Sequence, residues 1–155
     1  MAEAKTKKKA PMKSEEKKVS KIEKKSNDLN AKAGMIAVVR IRGGIGLSGD
    51  IKQTLGLLCL YKQNYCVLVE NNPSMKGMIN KVKDYVTFGI IDAETVELLK
   101  KRAEKDARRG GYKKFFRLQP PRKGFGRKGI KKSFRISGAL GNRNDKINDL
   151  IKRMM

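Results

Sequence analysis

The apolar residues of this chain are kept apart from much of its charge, and that separation limits what can fold. The first 33 residues hold 11 Lys and 5 Asp or Glu, with no aromatic side chain. Val19, Ile22 and Leu29 are their branched aliphatics, too few to offset chain entropy by burial. Residues 1–33 are therefore expected to be a lysine-rich extension, disordered without a polyanion. Runs such as Lys7-Lys8-Lys9 can order on a phosphate backbone.

Residues 34–109 carry the patterning of a folded core. Ile36 to Arg42 reads as a strand, with Ala37, Val39 and Ile41 on one side and Arg40 and Arg42 on the other. Gly43, Gly44 and Gly46 end it. Ser48 can cap a helix whose stripe is Ile51, Leu55, Leu58 and Cys59. Tyr65 to Glu70 reads as a second strand. Asn72 as cap and Pro73 at the first position open a second helix. Its apolar side is Met75, Met78, Ile79, Val82 and Val86, while Lys76, Asn80 and Lys83 fall together on a different side. Asp92 caps a third helix with Val96, Leu99 and Ala103 inward.

The last 46 residues change character, with 14 basic and 2 acidic side chains. Tyr112 to Leu118 reads as a strand with Phe116 and Leu118 on one face, stopped by Pro120-Pro121. Arg122 to Lys132 is a loop of glycines and cations. Asn142 or Asn144 caps a closing helix striped by Ile147, Leu150, Ile151 and Met154. Core residues 34–118 and a basic segment 119–155 are the expected divisions after the extension.

The balance of 38 basic against 15 acidic residues, a net charge of +23, points to a polyanionic partner. Histidine is absent, which removes the commonest general base and metal ligand. No apolar run approaches the ~18 residues of a membrane span. Cys59 and Cys66 lack the paired spacing and further ligands of a zinc site and read as buried free thiols. Gly44-Ile45-Gly46-Leu47-Ser48-Gly49 matches G-x-G-x-x-G, with Glu70 following the next strand. A dinucleotide fold needs further βα units, and none follows. A glycine turn that lets phosphate approach closely is the better reading. In the basic loop, Arg offers a planar fork and Lys a mobile point charge to phosphate. Phe125 reads equally as a base-stacking ring or as an anchor pinning the loop. The loop lacks the amphipathic stripe of a membrane-surface segment.

Three runs carry a family resemblance: MIAVVRIRGGIGLSGDIKQTLGLLCL from Met35, NPSMKGMINKVKDYVT from Asn72, and RLQPPRKGFGRKGIKKSF from Arg117, followed by SGALGNRNDKINDLIKRM. Together they resemble the universal large-subunit ribosomal protein family numbered thirty, in its archaeal and eukaryotic branch, whose eukaryotic member is numbered seven. The resemblance spans residues 34–155. It implies an α+β, ferredoxin-like fold, β-α-β-α-β, with a three-stranded antiparallel sheet and helices on one face. It also implies a basic C-terminal extension ending in a helix. It implies a non-enzymatic constituent of the cytoplasmic large ribosomal subunit, without cofactor, metal or small-molecule substrate. Its partners would be large-subunit rRNA, with contacts near the 5S rRNA, and neighbouring large-subunit proteins.

On that mapping the RNA-facing residues are Arg40, Arg42, Lys76, Lys83, Arg117, Arg122, Lys123, Phe125, Arg127, Lys128, Lys131, Lys132, Arg135 and Arg143. The chain departs from the family in three places. The bridge from Glu104 to Tyr112 is short where archaeal members usually carry a further helical segment, the loop Gly126-Arg127-Lys128 after Phe125 is slightly longer than usual, and Ser137 stands where glycine is common. The alternative function is a non-ribosomal nucleic-acid binder, such as a chromatin protein or RNA-folding factor, which shares the charge but not the three runs.

Overall fold

The computed structural model describes residues 34–105 and 111–155. The disorder expected of residues 1–33, and part of the short bridge after the third helix, lie outside the described residues.

Five strands form one mixed sheet: β1 (Ile36–Arg40), β2 (Tyr65–Val69), β3 (Val86–Ile90), β4 (Phe115–Arg117) and β5 (Gly141–Asn142). Their spatial order is β4-β2-β1-β3-β5. β1 is central and pairs antiparallel on both sides, with Val38 opposite Val67 of β2 and Phe88 of β3. β4 adds antiparallel to β2, and β5 lies parallel to β3. The expected three-stranded antiparallel sheet is thus the centre of a wider, mixed one. β4 falls within the Tyr112 to Leu118 stretch expected as a strand, and its place is the sheet edge beside β2; β5, two residues long, is too short to stand out by alternation. β3 also overturns one expectation: the second helix ends at Lys81 and Val86 begins a strand. A β-branched and aromatic run, Val86-Thr87-Phe88, outweighs the helical spacing of Val86.

Four helices cover the sheet: α1 (Gly49–Leu57), α2 (Pro73–Lys81), α3 (Ala93–Lys101) and α4 (Lys146–Met154). Ser48, Asn72 and Asp92 occupy the expected cap positions, whereas α4 is preceded by Asp145 rather than by either asparagine. The helices lie on both faces, not on one. Leu55 and Leu58 at α1, with Ile79 and Val82 at α2, pack against Ile36 and Val38. On the opposite face, Leu99 of α3 and the α4 stripe pack against Ala37 and Val39. Every residue of β1 is buried as a result.

α4 has the clearest periodicity in the chain. Ile147, Leu150, Ile151 and Met154 follow i, i+3, i+4, i+7 spacing, and all four are fully buried. At ~1.5–3 kcal/mol each, this stripe contributes ~6–12 kcal/mol before the entropy of ordering the helix. Asn148 adds a polar clasp. Its Oδ1 accepts from the Asp92 backbone N–H at 3.1 Å, and its Nδ2 donates to the carbonyls of Ile90 and Asp145. This side chain ties the start of α3 to α4.

Candidate nucleic-acid interface

The cations predicted to face a polyanion fall into two groups. Arg40 and Arg143 are turned inward. Arg40, at the end of a strand covered on both faces, is 5% exposed. Its guanidinium donates to the carbonyls of Leu60 at 2.7 Å, Tyr61 at 2.9 Å and Arg42 at 3.0 Å. It closes the connection after α1, and burial lowers its pKa. Arg40 and Ile36 share a face, as alternation requires, but that face is packed beneath α1 and α2 rather than open to solvent.

Arg143 is 4% exposed. Its Nε donates to Thr87 Oγ1 at 2.9 Å, and its Nη2 donates to the Phe125 and Ala139 carbonyls. Its guanidinium lies 4.6 Å from the centre of the Phe134 ring. Burial, and secondarily the charge of Arg153, pushes its pKa down to about 10, so it remains a cation at neutral pH. In each arginine three of the five N–H donors are spent on protein acceptors, which is how a buried charge is tolerated. With so little of either side chain exposed, neither fork lies open to solvent as the loop cations do.

Phe125 packs as the anchor reading expects. Half-buried, it packs against the α4-side core and against Ile41, Ala139 and Leu140. Together with Arg143 it fastens the basic loop to the sheet. The loop is further stitched to the end of α4. Gln119 N–H donates to the Met154 carbonyl and Arg122 N–H to that of Arg153, while the Arg153 guanidinium donates back to the carbonyls of Arg122 and Gly124. Lys128 N–H reaches the Ser137 carbonyl, and the Ala139 and Leu140 N–H groups reach that of Lys132. Gly138 lies so close to the Lys132 carbonyl that a Cβ would collide with it, so glycine is required there. Ser137 takes the left-handed conformation at φ 65°, which a glycine would adopt without strain.

The second group is exposed. Arg122, Lys123, Arg127, Lys128, Lys131, Lys132 and Arg135 all point to solvent from this stitched loop. The ion pairs among the described residues are Lys113–Glu104, Arg117–Glu104 and Lys152–Glu94. None of the seven loop cations has an acidic partner among the described residues. Lys76 and Lys83 are likewise exposed and unpaired, on α2 and just after it. Arg42 is half-exposed, resting 4.9 Å from the Tyr85 ring centre with one donor on the Asp84 carbonyl. Arg117 is partly engaged, 3.6 Å from Glu104. The Lys113 hydrogen bond, aided by the Arg117 charge, lowers the pKa of the Glu104 carboxyl.

A groove of about 570 Å³ runs beneath the loop, lined by Arg127, Arg135 and Lys146 with Asn142, Asn144 and Ser137. Sequence reasoning missed Lys146 and the two asparagines of this groove. Asn142 had been read only as a possible cap. Its Oδ1 accepts from the Asn144 N–H instead, a local turn that opens the groove.

Among the described residues there is no group of His, Cys, Asp or Glu able to hold a metal, and no helix long and apolar enough to cross a membrane. Both cysteines are free. Cys66 is buried, with its thiol pushed up to about 12, and Cys59 is half-buried. The G-x-G-x-x-G turn leads from β1 to α1, but β2 returns antiparallel, so the parallel βαβ unit of a dinucleotide site is not formed.

Residues 36–86 match the family model Ribosomal protein L30p/L7e. The chain is 44% identical to the large ribosomal subunit protein uL30 of Methanococcus vannielii, across 77% of this chain and 98% of that protein. For the uL30 of Nanoarchaeum equitans the identity is 40%, across 77% and 97%. For that of Methanopyrus kandleri it is 38%, across 74% and all of the relative. The Methanococcus vannielii alignment has 154 positions, and 77% of 155 residues is about 119, so about 35 of those positions have no counterpart here. On the strength of three runs of sequence, the sheet they build and near full-length similarity to these relatives, the chain belongs to the L30p/L7e family of ribosomal proteins, the uL30 family.

Proposed function

We propose that the 122–135 loop, with Lys76, Lys83 and Arg42, forms the surface by which this protein grips folded large-subunit rRNA. As a family member the protein is a structural, non-enzymatic constituent of the large subunit of the cytoplasmic ribosome. The observation that carries the proposed surface is the set of seven loop cations with no acidic partner among the described residues, held out on hydrogen-bonded backbone. Isolated, they repel one another. Against a phosphate backbone, each neutralised phosphate releases counterions and adds affinity. The rigid mounting supports recognition of RNA shape, since the cations need not be ordered on binding. Placement near the 5S rRNA rests on the family resemblance and belongs to the same proposal, as do contacts with neighbouring large-subunit proteins.

The test is sedimentation in high-salt gradients together with an rRNA-fragment titration. The protein is expected to stay with large subunits through the gradient. The logarithm of its affinity should fall with log salt by ~0.7–0.9 for each phosphate engaged. A chain that washes off at moderate salt would be a transient nucleic-acid binder, and a slope near zero would remove the electrostatic surface altogether. Footprinting of the 5S rRNA in particles with and without the chain checks the finer placement.

A further inference from the structure

Beside the cationic groove lies a second cleft of different chemistry. It measures about 460 Å³ and opens between α2 and the ends of β3 and β5. This is within the ~300–1,000 Å³ of clefts that hold small ligands. Lys76 is its one charged residue. Four asparagines line it, Asn71, Asn80, Asn142 and Asn144, and Phe88 supplies an aromatic ring. Amides around an aromatic ring suit a neutral, flat, hydrogen-bonding group better than a phosphate. Asn71 gives a second, independent indication. Its Oδ1 is buried and accepts no hydrogen bond. A buried acceptor without a donor is a penalty that a ligand donor would relieve once the amide rotates. Asn142 and Asn144 line both clefts, so one strand of RNA can lay phosphates in the basic groove and turn a base into its neighbour.

Resting on the rRNA-binding reading above, we infer that this cleft receives an unstacked adenine of the bound RNA. Phe88 supplies the stacking surface. An asparagine amide accepts from the exocyclic amine and donates to the ring nitrogen beside it, the pairing by which asparagine reads adenine. Lys76 at the cleft takes the flanking phosphate. Uracil presents the opposite polarity there, a carbonyl where adenine has its amine and an N–H where it has the nitrogen, so the same amide orientation does not pair with it.

The experiment uses the full chain bound to large-subunit rRNA transcripts in which some adenosines carry an 8-azido group, or some uridines a 4-thio group. After photo-cross-linking and digestion, adducts are located by mass spectrometry. The adenosine probe should label the peptide Asp84–Lys100, which contains Phe88, and the uridine probe should not. Asn71→Leu should cut that adduct by roughly fivefold or more while co-sedimentation with the RNA persists. Asn80→Ala, an exposed change that leaves the core alone, should cut it in the same direction. Adenosine adducts confined to residues 117–135 would overturn the inference. So would equal labelling by the uridine probe, insensitivity to both substitutions, or a cross-link from this cleft to another protein in assembled subunits. If the unaltered chain fails to sediment with the RNA at all, the rRNA-binding reading itself falls. If it sediments and only the adduct is missing, the adenine cleft alone falls.

Discussion

Arg135 and Arg143 are eight residues apart and carry the same guanidinium, yet they stand in opposite regions of the molecule. Arg143 is enclosed beneath the loop, its donors on Thr87 and two carbonyls and its plane against Phe134. Arg135 stands on the exposed loop above, with no acidic neighbour among the described residues. The inner charge organises the loop, and the outer charges are what the loop presents. Positive charge in this chain is therefore not one signal. Where the backbone has orphan carbonyls to satisfy, a guanidinium is a structural cross-link. Where it has none, the same group is available to a partner.

The largest effect should come from the inner charge. Arg143→Met leaves Phe125 and Ala139 carbonyls without their donor and is expected to cost ~3–5 kcal/mol, read by urea unfolding of the full chain. Arg143→Lys should recover only part, because an ammonium cannot fork across the same acceptors. A loss below ~1 kcal/mol would mean that the loop is held by other contacts.

Reversing the outer charges should do the opposite. Arg122→Glu with Lys123→Glu touches no side-chain hydrogen bond of the described residues. Circular dichroism and unfolding should therefore be unchanged, while rRNA affinity falls ~10- to 100-fold and the salt slope drops by ~1.4–1.8. Loss of fold instead would erase the distinction between the two regions.

A smaller change sharpens the view of how the loop is built. Ser137→Gly removes a left-handed strain of ~1–2 kcal/mol and adds back ~0.5–1 kcal/mol of chain entropy. The net expectation is a gain of ~0.5–1 kcal/mol in thermal or urea unfolding, with rRNA binding unaltered. The smallest effect concerns the core between the two regions. Thiol titration at mildly alkaline pH should modify Cys59 slowly and leave Cys66 untouched, since burial holds its thiol near 12. Both should react in denaturant. Modification of Cys66 in the native chain would show the β1–β2 centre to be open.

The helical stripes were legible in the sequence. Ile147, Leu150, Ile151 and Met154 announce α4, and Ile79 and Val82 announce the buried side of α2. These stripes depend on spacing within one segment. β4 was legible as part of the Tyr112 to Leu118 strand, but its partner was not, and the two-residue β5 exists only because β3 offers it an edge, so its own residues carry little signal. Val86 was assigned to α2 because its position fits a helix as well as a strand, and the pairing with Arg40 decides the matter. In the interface, the exposed loop cations were readable from their density. The roles of Arg40, Phe125 and Arg143 were not, since each depends on a partner 18 or more residues away. Lys146 and Asn144 were missed as groove residues for the same reason.

Composition and local periodicity alone determined that this chain has a modest core of alternating strands and helices and a cationic excess beyond what its acids can neutralise. These are properties of neighbouring residues, and they survive without knowledge of the fold. Only the tertiary structure decided which cations face outward. Covering both faces of the sheet turned Arg40 into a carbonyl clamp, and docking α4 beside β3 drew Arg143 under the loop. Burial depends on what the rest of the chain places overhead, and a guanidinium has the same sequence signature whether its five donors meet backbone carbonyls or phosphate.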